Sequence, residues 1–154
     1  MDASYTSSIT EFAIVLAGFS GLVIAIGSKG GKSSPLTKHR TLCLLSFSFA
    51  AAFGSLLPPL ALSFGIPNIW TFSSYGLICI LLVAVSVVHL SARLLLNEEE
   101  RKKLAWYMYI LIYWINAFLV FLLVLMPIAG LFFIALVWQL IVSAILFTRL
   151  ILQS

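Results

Sequence analysis

The chain has 154 residues, 62% of them hydrophobic and 9% charged, with a formal net charge of +4. A soluble domain of this size cannot solvate such a surface, so composition points to an integral membrane protein. The positive balance does not indicate nucleic acid: no basic surface joins an aromatic platform, and the charges sit in short connections beside apolar runs, where anionic lipid headgroups are the natural counter-charge.

Met1 to Thr10 holds Asp2 and no Lys or Arg. A secretory signal needs a basic segment there, so the first apolar stretch reads as a permanent span. Asp2 also stands where myristoylation requires Gly. Between Glu11 and Lys29 lie 17 uncharged residues. A crossing helix needs about 20 residues, within roughly 17–25, so this is one short span. Ser8-Ile9-Thr10-Glu11 fits a capping box at its start. A polar break follows, from Gly27 to Arg40, rich in Gly, Ser and Lys. It is not a phosphate loop, because Ile26 occupies the place of the required Gly and no strand precedes it. Ser34-Pro35 reads as an N-cap followed by Pro at the first helical position.

Between Arg40 and Arg93 lie 52 residues without Lys, Arg, Asp or Glu, enough for two spans and a turn. The turn is marked by Pro67-Asn68, and Pro58-Pro59 is expected to kink or end the helix before it. Asn97 followed by Glu98, Glu99 and Glu100 reads as a second cap, with acids at the positive helix end and a Glu-to-Lys ladder to Lys103. Between Lys103 and Arg149 lie 45 more such residues, again two spans, turning near Pro127 and Gly130.

The resulting expectation is one all-α transmembrane domain over 1–154, a five-helix bundle with helices near 9–28, 41–64, 70–93, 104–126 and 128–150. Barrel strands are excluded by the lack of alternation, and backbone in lipid must satisfy itself. With the N-terminus out and the C-terminus in, Lys29, Lys32, Lys38, Arg40, Arg93, Arg101, Lys102, Lys103 and Arg149 all face the cytoplasm, as the positive-inside rule requires. Tyr5 and Trp70 then mark the outer interface, and Trp106 and Tyr107 the inner one. A bacterial plasma membrane is the expected location.

The first span carries Ala13, Ala17, Gly21 and Ala25 at every fourth position, and the second carries Ser46, Ala50 and Gly54. Such faces let helix backbones approach closely, and the short basic loop makes these two spans expected neighbours. The fourth span presents Trp106, Tyr109, Tyr113 and Asn116 on one face, and the fifth presents Gln139 and Ser143. Folding the chain between Pro127 and Ile128 puts Asn116 and Gln139 at one depth, where two amides without water should pair. Cys43 and Cys79 differ too much in depth for a disulfide and read as small apolar residues.

Glu11, Gly18, Lys29 and Lys32 are the candidate pore residues. If subunits place the first-span face around an axis, Glu11 forms an acidic outer ring and the two lysines an inner one, with an apolar constriction between. His39, Cys43 and His89 stand near one end of their spans, with Ser86 and Arg93 beside His89. No fourth ligand of matching depth exists and His39 is expected in a solvated loop, so neither a metal nor a haem cofactor is expected. His89 is a candidate pH sensor. No nucleophile with a base and an orienting acid can be assembled, so the chain does not read as an enzyme.

Three functions fit. The leading one is a homo-oligomeric ion channel lined by the first helix. The second is a non-catalytic membrane subunit or assembly factor that binds partner helices through the small-residue face or the Trp-Tyr-Asn face. The third is a small transporter with its substrate site at Asn116, Gln139, Tyr113 and Ser143; it lacks the internal repeat and broken helices usual for that class.

Overall fold

The computed structural model describes residues 34–102, 104 and 106–152, together with Glu11, Ile14 and Gly18. Among the described residues five helices are delimited and no strand occurs: α1 (Pro35–Ser63), α2 (Ile69–Leu95), the short α3 (Glu98–Lys102), α4 (Trp106–Leu125) and α5 (Ala129–Leu152). Glu11, Ile14 and Gly18 are helical as well. The small-residue stripe of the first predicted span, and Lys29 and Lys32, lie outside the described residues. The four long helices are each long and apolar enough to cross a membrane.

α1 begins at Pro35, not at residue 41. The Ser34 hydroxyl accepts the Thr37 backbone N–H at 3.2 Å, and Pro35 has no N–H to leave orphaned. Lys38, His39 and Arg40 therefore lie on a helix rather than in a loop. Pro58 and Pro59 do not end α1, which runs on to Ser63. Its real stop is Gly65. This glycine has φ 65°, its N–H bonds the Leu62 carbonyl, and the Ile66 N–H bonds the Ala61 carbonyl. That pair of bonds is a Schellman closure, and the left-handed residue within it favours Gly.

Pro67-Asn68 then leads into α2. Between α4 and α5 the Ile128 N–H reaches back to the Met126 carbonyl at 2.8 Å around Pro127, a turn compatible with the fixed φ of proline. α3 is a separate five-residue helix rather than the start of α4. The Glu100 carboxylate accepts the Asn97 N–H at 3.1 Å, and Arg101 Nη2 donates to the Arg93 carbonyl at 3.2 Å.

α1 and α2 share the largest interface, followed by α1 and α5. Gly54 allows this. A Cβ there would lie 2.7 Å from Leu136 Cδ2 of α5 and 2.8 Å from Leu77 Cδ1 of α2. Likewise, a Cβ on Gly76 would lie 2.9 Å from Leu57 Cδ1. These contacts fix an antiparallel register in which Gly54 meets Leu77 and Leu57 meets Gly76. The small residues expected to face the first span thus bring α2 and α5 onto α1.

One apolar cluster, with Leu77, Leu81, Leu123, Phe132 and Leu136, fills the half of the bundle nearer the two turns. A second, with Leu44, Phe47, Val88, Val142 and Leu146, fills the half that holds Arg40, Arg93 and Arg149. We call these the turn end and the basic end.

Burial is inverted relative to a water-soluble domain. Ser48, Ser73, Ser74, Gln139 and Ser143 are fully buried, whereas Trp114, Leu94 and Phe64 are 73–74% exposed. Cys43 is buried as a small apolar residue would be; Cys79 is exposed, so it does not pack as one, and both are free thiols.

Candidate functional site

α4 is rotated so that Asn116 points inward, 4% exposed, toward α5. Gln139 Nε2 donates to Asn116 Oδ1 at 2.7 Å, and Asn116 Nδ2 donates to the Ile112 carbonyl one turn earlier at 2.9 Å. Ser143 is fully buried and donates to the Gln139 carbonyl at 2.9 Å. Asn116, Gln139 and Ser143 thus come together inside one protomer. Gln139 Oε1 is buried without a hydrogen-bond partner, and so is Ser48 Oγ on the facing α1. Tyr109 and Tyr113 are half-buried and pack against the basic-end cluster. The Tyr-Asn face of α4 is therefore turned into the bundle.

A second polar group sits one level closer to the basic end. His39 is fully buried, not solvated as expected, because the early start of α1 carries it into the interface with α2. Ser91 Oγ donates its single proton to the Val88 carbonyl at 2.8 Å. It therefore accepts from His39 Nδ1–H, also at 2.8 Å, which fixes the imidazole tautomer. Cys43 Sγ lies 3.5 Å from His39 Nε2 and 4.0 Å from Nδ1.

Near-equal distances to both ring nitrogens put the sulfur over the imidazole face, not in line with a nitrogen lone pair. The contact is a sulfur–aromatic one. It is not the in-plane geometry of a nucleophile and its base, nor of two ligands sharing a metal. His89, the expected companion of His39, is exposed on another face of α2, and Ser91 takes its place. Among the described residues no three His, Cys, Asp or Glu side chains gather where they could hold a metal.

Of the expected pore residues, Glu11 and Gly18 are exposed, as is Ile14 between them at 60%. Lys29 and Lys32 lie outside the described residues. Sequence reasoning missed Ser91, Ser48, Ser73 and Ser74, all buried serines in long apolar runs. The Ser73-Ser74 doublet, two adjacent hydroxyls within a span, was the available signal.

Comparison with protein families, curated proteins and solved structures finds no match.

Proposed function

We propose that this chain is a multi-pass membrane protein that associates with copies of itself into an ion-conducting pore lined by the first span. Three findings support bilayer insertion. Many large apolar side chains are exposed, uncharged polar side chains such as Ser48, Ser73, Ser74, Asn116, Gln139 and Ser143 are buried, and the described cationic residues gather at one end of the four long helices. In lipid this arrangement is the favourable one. The proposed membrane is a bacterial plasma membrane, with the N-terminus outside, the C-terminus inside and the basic end toward anionic cytoplasmic headgroups.

The observation that carries the pore reading is the stripe of Glu11, Ile14 and Gly18. These residues are spaced by three and four, and all remain exposed in the protomer. The core is filled by Leu44, Leu77, Leu81, Leu123, Phe132 and Leu136, each under 2% exposed, so conduction belongs between protomers. The Ala50-Gly54 face of α1 and the Tyr-Asn face of α4, two of the surfaces that a partner-binding subunit would use, are occupied within the chain. Glu11 would then ring the outer mouth and favour cations.

The test is planar-bilayer conductance of the purified oligomer. Glu11→Gln is expected to lower cation conductance in low salt and much less in high salt, because screening shortens the reach of the ring. Equal conductance of variant and native protein in both salts would remove Glu11 from the mouth. A second reading, a transporter with its site inside one protomer, is favoured by the unpartnered Gln139 Oε1 beside Asn116 and Ser143. It requires an active monomer, which the pore reading forbids.

A further inference from the structure

We propose that Arg40 of α1 and Arg149 of α5 together bind the phosphate of an anionic membrane lipid at the basic end of each protomer. The site rests on the bilayer reading above and does not depend on the pore.

Packing brings the two arginines to one level. α1 and α5 run antiparallel and meet where Gly54 faces Leu136. The step from Gly54 back to Arg40 on α1 matches the step from Leu136 on to Leu150 on α5, so Arg40 stands level with Leu150 and its neighbour Arg149. The apolar cluster beneath agrees, since it joins Cys43 and Leu44 of α1 to Leu146 and Leu150 of α5. Arg40 and Arg149 lie within electrostatic range of each other, and Tyr109 of α4 lies within range of both. Three helices thus converge on the pair.

Both arginines are half-buried. Among the described residues neither has an acid partner or a hydrogen-bond acceptor. The acids described at this end, Glu98, Glu99 and Glu100, all sit on α3, where Glu100 accepts the Asn97 N–H. Arg101 behaves differently, since it donates to the Arg93 carbonyl. Two like charges held near each other in a partly desolvated place repel, and an anion shared between them offsets that cost.

The chemistry of the pair selects the ligand. A guanidinium is a planar fork of donors that matches phosphate oxygens two at a time. Two of them favour a headgroup with net negative charge over a zwitterionic one, whose own ammonium they would repel. The surroundings select a lipid over a free phosphate. Ile141, Ile145 and Leu152 share a face of α5 with Arg149, at helical spacing, and are 39–77% exposed. An acyl chain joined to the phosphate gains contact with them that an inorganic ion cannot. Basic sites between membrane helices at the cytoplasmic side bind anionic headgroups in this way.

The test is thermal unfolding of the full-length protein in detergent at fixed ionic strength, with phosphatidylglycerol, phosphatidylcholine or inorganic phosphate added. Phosphatidylglycerol is expected to raise the melting temperature by on the order of 5 °C near saturation, and the other two by little. Arg40→Gln and Arg149→Gln, each alone, should remove most of that shift. Without lipid both should melt near native, because neither side chain makes a bond that would be lost. Arg93→Gln takes the same charge from an exposed position at the same end and should keep the shift. Equal losses in all three variants would overturn the site in favour of diffuse surface charge. An inorganic phosphate shift as large as the lipid one would overturn the lipid as the source. No phosphatidylglycerol shift in the native protein would overturn the proposal outright. It would leave bilayer insertion standing, which cysteine accessibility in cells reads independently. Should a variant not fold, native mass spectrometry of the unaltered protein decides: retention of one phosphatidylglycerol per protomer in preference to phosphatidylcholine supports the site, and equal retention refutes it.

Discussion

Gln139 and Asn116 show how one hydrogen bond is placed by counting. The two lie at similar distances along the chain from the Pro127 turn, so an antiparallel helix pair brings their amides to one level, and they pair at 2.7 Å. A double-mutant cycle with Asn116→Leu and Gln139→Leu is expected to show a coupling near 0.6 and below about 1.7 kcal/mol, the range for hydrogen bonds between membrane helices. Purely additive losses in thermal stability would mean that the amides do not pair.

Glycines make a sharper comparison. Gly54→Ala forces a Cβ against Leu136 and Leu77 and is expected to destabilise by about 1–3 kcal/mol, as overpacking does. Gly65→Ala puts a side chain at φ 65° and is expected to lose about 1–2 kcal/mol without any contact. Gly130→Ala, helical with nothing within 4 Å of the new atom, should be neutral or slightly stabilising. Equal effects at all three positions, read from melting temperatures, would contradict the packing described. The pairing of His39 was not legible in this way. It depends on where α1 starts and on Ser91, 52 residues away in sequence, and nothing local to His39 announces either.

α1 is the helix whose limits the sequence both announced and obscured. The Ser34-Pro35 signal was readable, yet counting uncharged residues from Arg40 placed the helix later, because charge marks where a span meets water and not where a helix begins. Replacing the cap, Ser34→Ala, is expected to destabilise by about 0.5–2 kcal/mol. Circular dichroism that shows no loss of helix or melting temperature would argue that Ser34 does not cap α1. At the other end, Pro58-Pro59 looked like a stop, but packing of Gly54 and Ala61 into the bundle carries the helix past it to Gly65. The limits of α2, α4 and α5 agree with the sequence reading to within two residues, since turns at Pro67 and Pro127 separate long apolar runs. The direction that each helix faces was less legible. In a chain that is apolar on nearly every side, periodicity distinguishes inside from outside weakly, and the few polar residues had to carry the signal.

The molecule as a whole places Arg40, Arg93, Arg101, Lys102 and Arg149 toward one end and the Ile66–Asn68 and Met126–Ile128 turns at the other. Arg40 and Arg149 lie close enough to influence each other electrostatically, although 109 residues separate them in sequence. Together with apolar exteriors on four long helices, this polarity is the basis for reading the chain as bilayer-embedded, and the pore presupposes it.

Single-cysteine accessibility in intact cells tests that premise most directly. In a Cys43→Ser, Cys79→Ser background, Lys32→Cys and Asn97→Cys should resist a membrane-impermeant thiol reagent until the membrane is opened. Asn68→Cys and Met126→Cys should react from outside at once. Labelling that puts positions 32 and 97 on opposite faces, or recovery of the protein in the aqueous fraction without detergent, would contradict it.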